Sequence, residues 1–72
     1  MDKVKSASEL GRAIRKRRKE LGYTQAFLAD YAGVSASFLS ELENGKESIQ
    51  MGKAMDIMGL LGMDLAVVKR GE

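Results

Sequence analysis

The chain contains no cysteine, no histidine, no proline and no tryptophan among its 72 residues. Without cysteine it can form neither a disulfide framework nor a thiolate zinc site, and nothing points to an oxidising compartment. The absence of both cysteine and histidine also removes the commonest general base, the thiol nucleophile and the usual transition-metal ligands. A serine–lysine or paired-carboxylate enzyme remains, but so short a chain can hardly enclose a substrate pocket. We therefore predict no enzymatic activity, no metal and no cofactor.

Long hydrophobic runs and linkers are absent as well. The most apolar stretch, residues 54–68, is interrupted by Asp56 and Asp64, and the N-terminus is polar, so neither a membrane span nor a signal peptide is expected. The lack of proline and of low-complexity sequence argues against a second domain. We predict that residues 1–72 form one soluble, cytoplasmic domain.

Positive charge is concentrated in the first third of the chain. Residues 1–24 hold eight lysines and arginines against three acids, a net charge of +5, whereas residues 25–72 hold four against seven, a net charge of −3. Because the whole chain carries only +2, this asymmetry points to a polyanionic partner that meets one face. The densest cluster, residues 15–19 (RKRRK), is either a solvated face or a surface with one or two phosphate contacts.

The first helix is predicted from about residue 7 to residue 21. Ser6 and Glu9 form a capping box at its start, and Gly22 ends it. Arg17 and Arg18 flank the apolar stripe, where an arginine needs a carboxylate partner. The stripe itself, at helical spacing, contains Leu10, Ile14 and Leu21.

Two shorter helices follow. The second begins after Thr24 as N-cap and ends at Gly33; the third is capped by Ser35 and ends at Asn44-Gly45. The core residues expected from these two helices are Leu28, Ala29, Ala32, Leu39 and Leu42.

The fourth helix is expected after Ser48, up to about Leu61, and it carries surplus apolar surface. Its main stripe contains Met51, Ala54, Met55, Met58 and Leu61, with Ile57 and Leu60 to the side. In the tail, residues 63–68 alternate in a way that favours a strand, and a lone strand needs a partner. A second copy of the chain is the economical partner; a frayed tail is the alternative.

The two short helices joined through residues 32–35 (AGVS) form a helix-turn-helix pattern. The glycine permits the bend, Val34 fills the crossing, and the next helix is directed outwards. A helical hairpin with no DNA role is the alternative. The basic first helix beside the hairpin favours DNA binding.

Residues 23–46, YTQAFLADYAGVSASFLSELENGK, resemble the Cro/Xre-type, lambda-repressor-like helix-turn-helix family, whose pattern is TQ-x-x-LA-x-x-(A)GVS-x-x-(F/I)(L/I)S-x-LE-x-GK. More narrowly, FLSELENGKESIQMGKAMDIMGLLGMDL looks like HipB-type antitoxins, and the likeness reaches from about residue 10 to 68. One departure lies in a turn, where Glu47 and Ser48 replace the proline or threonine common in the family.

The resemblance implies an all-α, four- to five-helix lambda-repressor-like DNA-binding domain with a short C-terminal strand that pairs across a dimer. The motif covers about residues 24–45, and the dimerisation helix and strand about 49–69. Phosphate contacts are expected from Gln25, Asn44 and Lys46, joined by Arg15 and Lys19 of the basic run. Base-edge contacts are expected from Ser35, Ala36, Ser37, Phe38 and Ser40. A structural ion pair is implied between Arg18 and Glu43. The dimer interface is expected to contain Ile57, Leu60, Met63, Leu65 and Val67.

Several of these residues have simpler roles available. Gln25 can merely solvate a helix start, Ser35 can act only as an N-cap, and Phe38 can join the core through Leu42. The short side chains that open the third helix permit close approach to the groove but offer only one hydroxyl or methyl each. Direct base discrimination is therefore expected to be modest, with DNA shape, water bridges and two-fold duplication contributing the rest.

The predicted function is a homodimeric, sequence-specific transcriptional repressor that binds double-stranded DNA at a palindromic operator. From the resemblance alone, the chain is expected to be the autoregulating antitoxin of a HipA-like kinase toxin. A phage-type repressor or a restriction–modification controller without a toxin is the alternative. A protein-docking module with a basic helix is the alternative of another class, and it leaves Gln25, Asn44 and Lys46 without a purpose.

Overall fold

A computed structural model describes residues 3–71 of the chain. This part of the chain contains four helices and no strand: α1 (Ala7–Glu20), α2 (Gln25–Ala32), α3 (Ala36–Glu43) and α4 (Met51–Leu60). Helices α1 and α2 both pack against α3, and α2 also packs against α4. The all-α fold class is confirmed. No helix in the described part is long and apolar enough to cross a membrane.

Helix α1 is defined at both ends by local hydrogen bonds. The Ser6 hydroxyl accepts from the Glu9 backbone N–H at 3.1 Å, as an N-cap does. The Glu9 carboxylate accepts from the backbone N–H of Lys5 at 3.0 Å, one residue earlier than a capping box requires. Gly22 follows the helix with φ at 76°, a left-handed conformation that terminates it.

The bend between α2 and α3 is also made locally. The Thr24 hydroxyl caps α2 by accepting from the Phe27 N–H, and the Ser35 hydroxyl caps α3 by accepting from the Phe38 N–H, both at 3.0 Å. Between them, Gly33 adopts φ 71°, which other residues rarely adopt. The chain therefore reverses within a few residues and presents α3 across α2.

One apolar core joins the four helices. Leu21 lies outside it, contrary to prediction, with 36% of its surface exposed, because it follows the last turn of α1 and faces solvent. Ala32 is only partly buried at the edge of the core. The buried apolar side chains are Leu10, Ile14, Leu28, Ala29, Leu39, Leu42, Ala54, Ile57, Met58 and Leu61.

The buried face of α4 is rotated from the predicted one. Met51 and Met55 are 47% and 48% exposed, whereas Ile57 is fully buried. Ile57, expected at the dimer interface, therefore belongs to the core of the single chain, and Met51 and Met55 lie on the exposed side of the helix. Two overlapping stripes satisfy helical spacing in this segment, and packing against α2 selects the one that runs from Ala54 to Leu61. The helix also begins later than predicted, at Met51 after Gln50 as N-cap.

The tail, residues 63–69, lies in no helix or strand. A strand is defined by hydrogen bonds to a neighbouring strand, and the described residues contain no other strand with which the tail could pair. Leu65 is 49% exposed, Val67 98% and Val68 42%. Pairing of this segment with a second copy stays a prediction.

Candidate nucleic-acid interface

Helix α3 has one face in the core and one in solvent. Leu39 and Leu42 are buried against the other helices, while Ser35, Ala36 and Ser37 at the start of the helix are exposed. The N-cap hydrogen bond of Ser35 uses its hydroxyl oxygen as an acceptor, so the hydroxyl proton stays available to an outside acceptor. The first turn of α3 is therefore a narrow, outward surface of small side chains.

Phe38 and Ser40 differ from that exposed set because each already has a partner in the protein. Phe38 is half-buried and packs against the core. The Lys53 ammonium lies 5.5 Å from the centroid of the Phe38 ring. The Ser40 hydroxyl is also half-buried and accepts from the Asn44 side-chain amide at 3.3 Å.

Arg18 and Glu43 form a buried ion pair that ties α1 to the end of α3. The Arg18 Nε donates to Glu43 Oε2 at 2.7 Å and its Nη2 donates to Oε1 at 3.0 Å, a bidentate contact. The Arg18 Nη1 donates to the backbone carbonyl of Tyr23 at 2.8 Å. Both charged side chains are more than nine-tenths buried, so the pair holds the start of α2 and the end of α3 against α1.

Gln25 belongs to the same hydrogen-bonded cluster. Its Nε2 donates to Glu43 Oε1 at 3.0 Å, and the side chain is half-buried. An amide nitrogen carries two protons, so one N–H orients the side chain and the other remains for a ligand. Burial raises the pKa of Glu43, but hydrogen bonds from Arg18 and Gln25 together with the charges of Arg18 and Arg15 lower that pKa below its ordinary value.

Lys46 and Asn44 lie beyond the C-terminal end of α3, and both are exposed. The Lys46 ammonium forms an ion pair with the Glu41 carboxylate. The Asn44 amide is held by Ser40. A phosphate that binds Lys46 must therefore compete with Glu41, a residue that sequence reasoning did not single out.

The basic run 15–19 divides into residues with different roles. Arg15, Lys16 and Lys19 are exposed on α1. Arg18 is buried in the ion pair described above. Arg17 donates from its Nε to the backbone carbonyl of Leu61 at 2.9 Å and pairs with Glu20 at 3.7 Å. Arg17 thus satisfies a carbonyl just past the end of α4, a role that spacing along one helix cannot reveal.

The residues expected at a dimer interface are also divided. Leu60 is 40% exposed, Leu65 and Val67 are exposed on the tail, Met63 is half-buried, and Ile57 belongs to the core.

The described residues contain no group of acidic side chains arranged to hold a metal ion. The candidate interface therefore consists of the exposed turn of α3, the polar donors at both ends of the motif and the exposed cations of α1.

Comparison with known proteins identifies the family to which the motif belongs. A family model for a helix-turn-helix, HTH_3, matches residues 14–68. A protein of Sinorhizobium fredii described as an uncharacterized HTH-type transcriptional regulator, y4mF, is 34% identical over 70 residues, which is 97% of this chain and 92% of that protein. The competence pilus inhibition repressor of Acinetobacter baylyi is 49% identical over 39 residues, 54% of this chain and 36% of that protein.

The fold is also similar to the folds of proteins in several solved structures. A HipB(S29A)–O2 20mer complex has a TM-score of 0.87 at 24% identity, and the match covers 97% of both chains. A HipA–HipB–O2–O3 complex has a TM-score of 0.87 at 23% identity over 97% of this chain and 99% of that one. The family match, together with the relative that aligns along nearly the whole chain, shows that this protein belongs to the Cro/Xre-like HTH_3 family of helix-turn-helix transcriptional regulators.

Proposed function

We propose that the chain is a transcriptional repressor that binds double-stranded DNA in a sequence-specific manner, as a homodimer on a palindromic operator. The observation that carries the proposal is the exposed first turn of α3, residues 35–37, in a helix whose other face is buried. Small side chains at this position suit insertion into the major groove, which is wide enough to admit a helix. The proposal needs no catalysis and no cofactor, and such a repressor would act in the cytoplasm.

Polar groups at both ends of the motif would fix the register on the duplex. Gln25 is the first residue of α2, where backbone N–H groups are free to meet a phosphate. Lys46 and Asn44 lie past the end of α3, and Arg15 and Lys19 add charge from α1. These contacts position the protein without reading sequence, and Ser35, Ala36 and Ser37 would read it.

Dimerisation would place two α3 helices about 34 Å apart, over half-sites one helical turn apart. The exposed Leu60, Leu65 and Val67 supply apolar surface that a second copy would cover. Pairing of the tails would provide the neighbour that each tail lacks. A bound dimer would exclude the transcription machinery from the operator.

The more specific form of the proposal is that the protein is the autoregulating antitoxin of a HipA-like kinase toxin. The likeness in fold to HipB, which is solved in a HipA–HipB–O2–O3 complex, supports it. Gel filtration of the chain with and without the product of the neighbouring gene tests this form. Co-elution at a larger size is expected, and separate elution would contradict the antitoxin role while leaving DNA binding intact.

A repressor without a toxin partner is the second candidate. The likeness over 39 residues to a competence pilus inhibition repressor favours it. A phage-type repressor or a restriction–modification controller would be of this kind. A reading frame for a kinase-like protein beside the gene would favour the antitoxin.

DNA binding itself is tested by titrating duplexes with the protein at several salt concentrations. We expect Gln25→Ala and Lys46→Ala each to weaken binding to all sequences alike. The slope of log affinity against log salt is negative, and removal of one phosphate-binding side chain makes it shallower by about 0.9. Lys69→Ala is the control for Lys46→Ala, because it also removes one positive charge but does so from the tail.

Two outcomes would contradict the proposal at different levels. A change in the preferred operator on Gln25→Ala or Lys46→Ala would show that these residues read sequence rather than phosphate. No binding of any duplex, together with a partner interaction indifferent to salt, would instead support the protein-docking alternative.

A further inference from the structure

Lys53 and Phe38 make a contact between α4 and α3 that the roles described above do not use. Lys53 lies in the first turn of α4, is exposed, and holds its ammonium 5.5 Å from the centroid of the Phe38 ring. Phe38 is the third residue of α3, and its backbone N–H donates to the Ser35 hydroxyl. The ammonium therefore lies over the ring of the residue that directly follows the exposed turn of α3.

The contact positions the ammonium without occupying its hydrogen-bond donors. An aromatic face attracts a cation electrostatically when the cation lies within about 6 Å of the ring centroid. Among the described residues, Lys53 forms no ion pair, whereas Lys46 is already paired with Glu41. Lys53 thus offers three unused N–H donors at a restrained position.

Phe38 acts in this arrangement through its ring face and its packing. It is half-buried against the core, and Lys53 lies over its ring. A ring held in this way is poorly placed to swing out toward a thymine methyl. Phe38 is therefore better described as a support for Lys53 than as a base-contacting residue.

We propose that Lys53 is a further phosphate-binding residue of the DNA interface, and that Phe38 is the positioning residue that holds it beside α3. The proposal rests on the DNA-binding function proposed above and adds α4 to the interface. The ligand is a backbone phosphate of the duplex next to the exposed turn of α3, so the contact carries charge but no sequence information.

The test uses the full chain and a random-sequence duplex of about 30 base pairs, long enough for two half-sites. Fluorescence anisotropy measures affinity over a series of salt concentrations. Lys53→Gln is expected to lower the magnitude of the negative log–log salt slope by about 0.9 per protomer, and Lys53→Arg is expected to retain it. Lys69→Gln removes the same charge from the tail and is expected to leave the slope unchanged.

Phe38→Leu keeps an apolar side chain but removes the ring. The magnitude of its salt slope is expected to fall toward that of Lys53→Gln, and the double variant is expected to fall no further in magnitude. Circular dichroism melts confirm that every variant is folded at the titration temperature. If Phe38→Leu proves unfolded there, Phe38→Tyr, which keeps a ring, is compared with Phe38→Met, and only the methionine variant is expected to lower the magnitude of the slope.

The failures of the inference and of the proposed function are distinguishable. If the unmodified chain binds the duplex and Lys53→Gln has the same slope as Lys69→Gln, Lys53 does not bind phosphate and the inference is overturned. If Lys53→Gln lowers the magnitude of the slope and the ring-lacking variants do not, Phe38 is not the support. If the unmodified chain binds no duplex at any salt concentration, the proposed function fails first.

Discussion

At the scale of single residues, the most important contact is the buried ion pair between Arg18 and Glu43. Arg18 donates to both oxygens of Glu43 and to the carbonyl of Tyr23, and Gln25 donates to the same carboxylate. A buried ion pair is costly to break because removal of one partner leaves an unpaired charge in the interior. Since the same carboxylate orients Gln25, the stability of the fold and the geometry of a candidate phosphate donor depend on one residue.

The stability of the protein should therefore depend on pH through Glu43. Its pKa in the folded chain lies below the ordinary value of 4.5, so the ionised carboxylate stabilises the fold above that pH, and the contribution is lost as the pH falls through the lowered pKa. Urea unfolding at about pH 7 and across about pH 5 to 3 measures this loss. We expect Glu43→Gln to reduce the unfolding free energy at neutral pH by about 3 kcal/mol and to flatten the acid limb.

A double variant controls for the chance that Glu43→Gln is too unstable to measure. Replacing both charges, Arg18→Met with Glu43→Leu, leaves no unpaired ion and is expected to recover most of the stability that the single variant gives up. If the unfolding free energy of the double variant falls at low pH as much as that of the unmodified chain, the pH dependence belongs to groups other than Glu43.

Glu41 is predicted to restrain DNA binding through its ion pair with Lys46. Both side chains are about half exposed, at 44% and 48%, so the pair contributes little to stability, and its loss should leave the thermal midpoint nearly unchanged. Glu41→Gln frees the Lys46 ammonium for phosphate. We expect the affinity for a random duplex, measured by anisotropy, to rise by roughly two- to five-fold.

Asp56→Asn is the matched control for Glu41→Gln, because it removes one exposed negative charge from α4. A similar rise in affinity in both variants would mean that net charge, and not the pair with Lys46, sets the effect.

At the scale of elements, α1 and α3 approach each other closely at Gly11. A Cβ at this position would lie 2.4 Å from the carbonyl oxygen of Leu42 and 2.6 Å from that of Glu43. Both atoms belong to the backbone of α3, so neither can move aside as a side-chain end would. The absence of a side chain at Gly11 lets the last turn of α3 lie against α1, where Arg18 reaches Glu43.

Gly11→Ala is expected to destabilise the protein by about 1 to 3 kcal/mol, because the two helices must separate to admit one methyl group. Gly52→Ala in α4 is the control. A Cβ there meets nothing within 4 Å, and replacing a helical glycine by alanine raises stability by up to about 1 kcal/mol. Thermal or urea unfolding of both variants measures the difference. Equal effects would show that the α1–α3 crossing tolerates a side chain.

At the scale of the whole molecule, the positively charged surface and the apolar surface lie on different elements. The exposed cations Arg15, Lys16 and Lys19 lie on α1, and exposed aliphatic side chains lie at the end of α4 and on the tail. The first surface suits a polyanion. The second suits burial against another protein surface, and a second copy is the partner that the dimer proposal requires.

Val67→Asp is predicted to weaken dimerisation without disturbing the monomer, since Val67 is 98% exposed in the single chain. A carboxylate at an apolar interface loses its hydration without gaining a partner. Analytical ultracentrifugation should show a higher dimer dissociation constant and an unchanged monomer. Operator affinity should fall more than non-specific affinity, because only an operator has two half-sites that a dimer binds together with increased affinity.

Lys69→Gln, two residues further along the tail, changes the net charge by the same one unit and is the control for a general charge effect. An unchanged monomer–dimer equilibrium in Val67→Asp would place the interface elsewhere, with the exposed methionines of α4 as the next surface to vary.

Local signals in the amino-acid sequence were sufficient for the positions of the four helices, the N-caps of α1, α2 and α3 and the bend at Gly33, because capping and left-handed glycines act within four residues. They were not sufficient for the face of α4. Two overlapping stripes in residues 51–61 are equally periodic, and contact with α2 buries Ile57 instead of Met51 and Met55. The same limit applies to Arg17, whose hydrogen-bond partner is 44 residues away.

The candidate interface divides in the same way. The exposed small residues 35–37 could be anticipated from the position of a capped helix after a tight bend. The pairing of Lys46 with Glu41 and the support of Lys53 by Phe38 depend on side-chain positions that no periodicity encodes. Residue order therefore specified which helices form and where they stop, since those choices are made by neighbours along the chain. The tertiary structure decided which side chains are buried or paired within the protein and which remain exposed to a partner, because this depends on packing between helices that lie far apart in the chain.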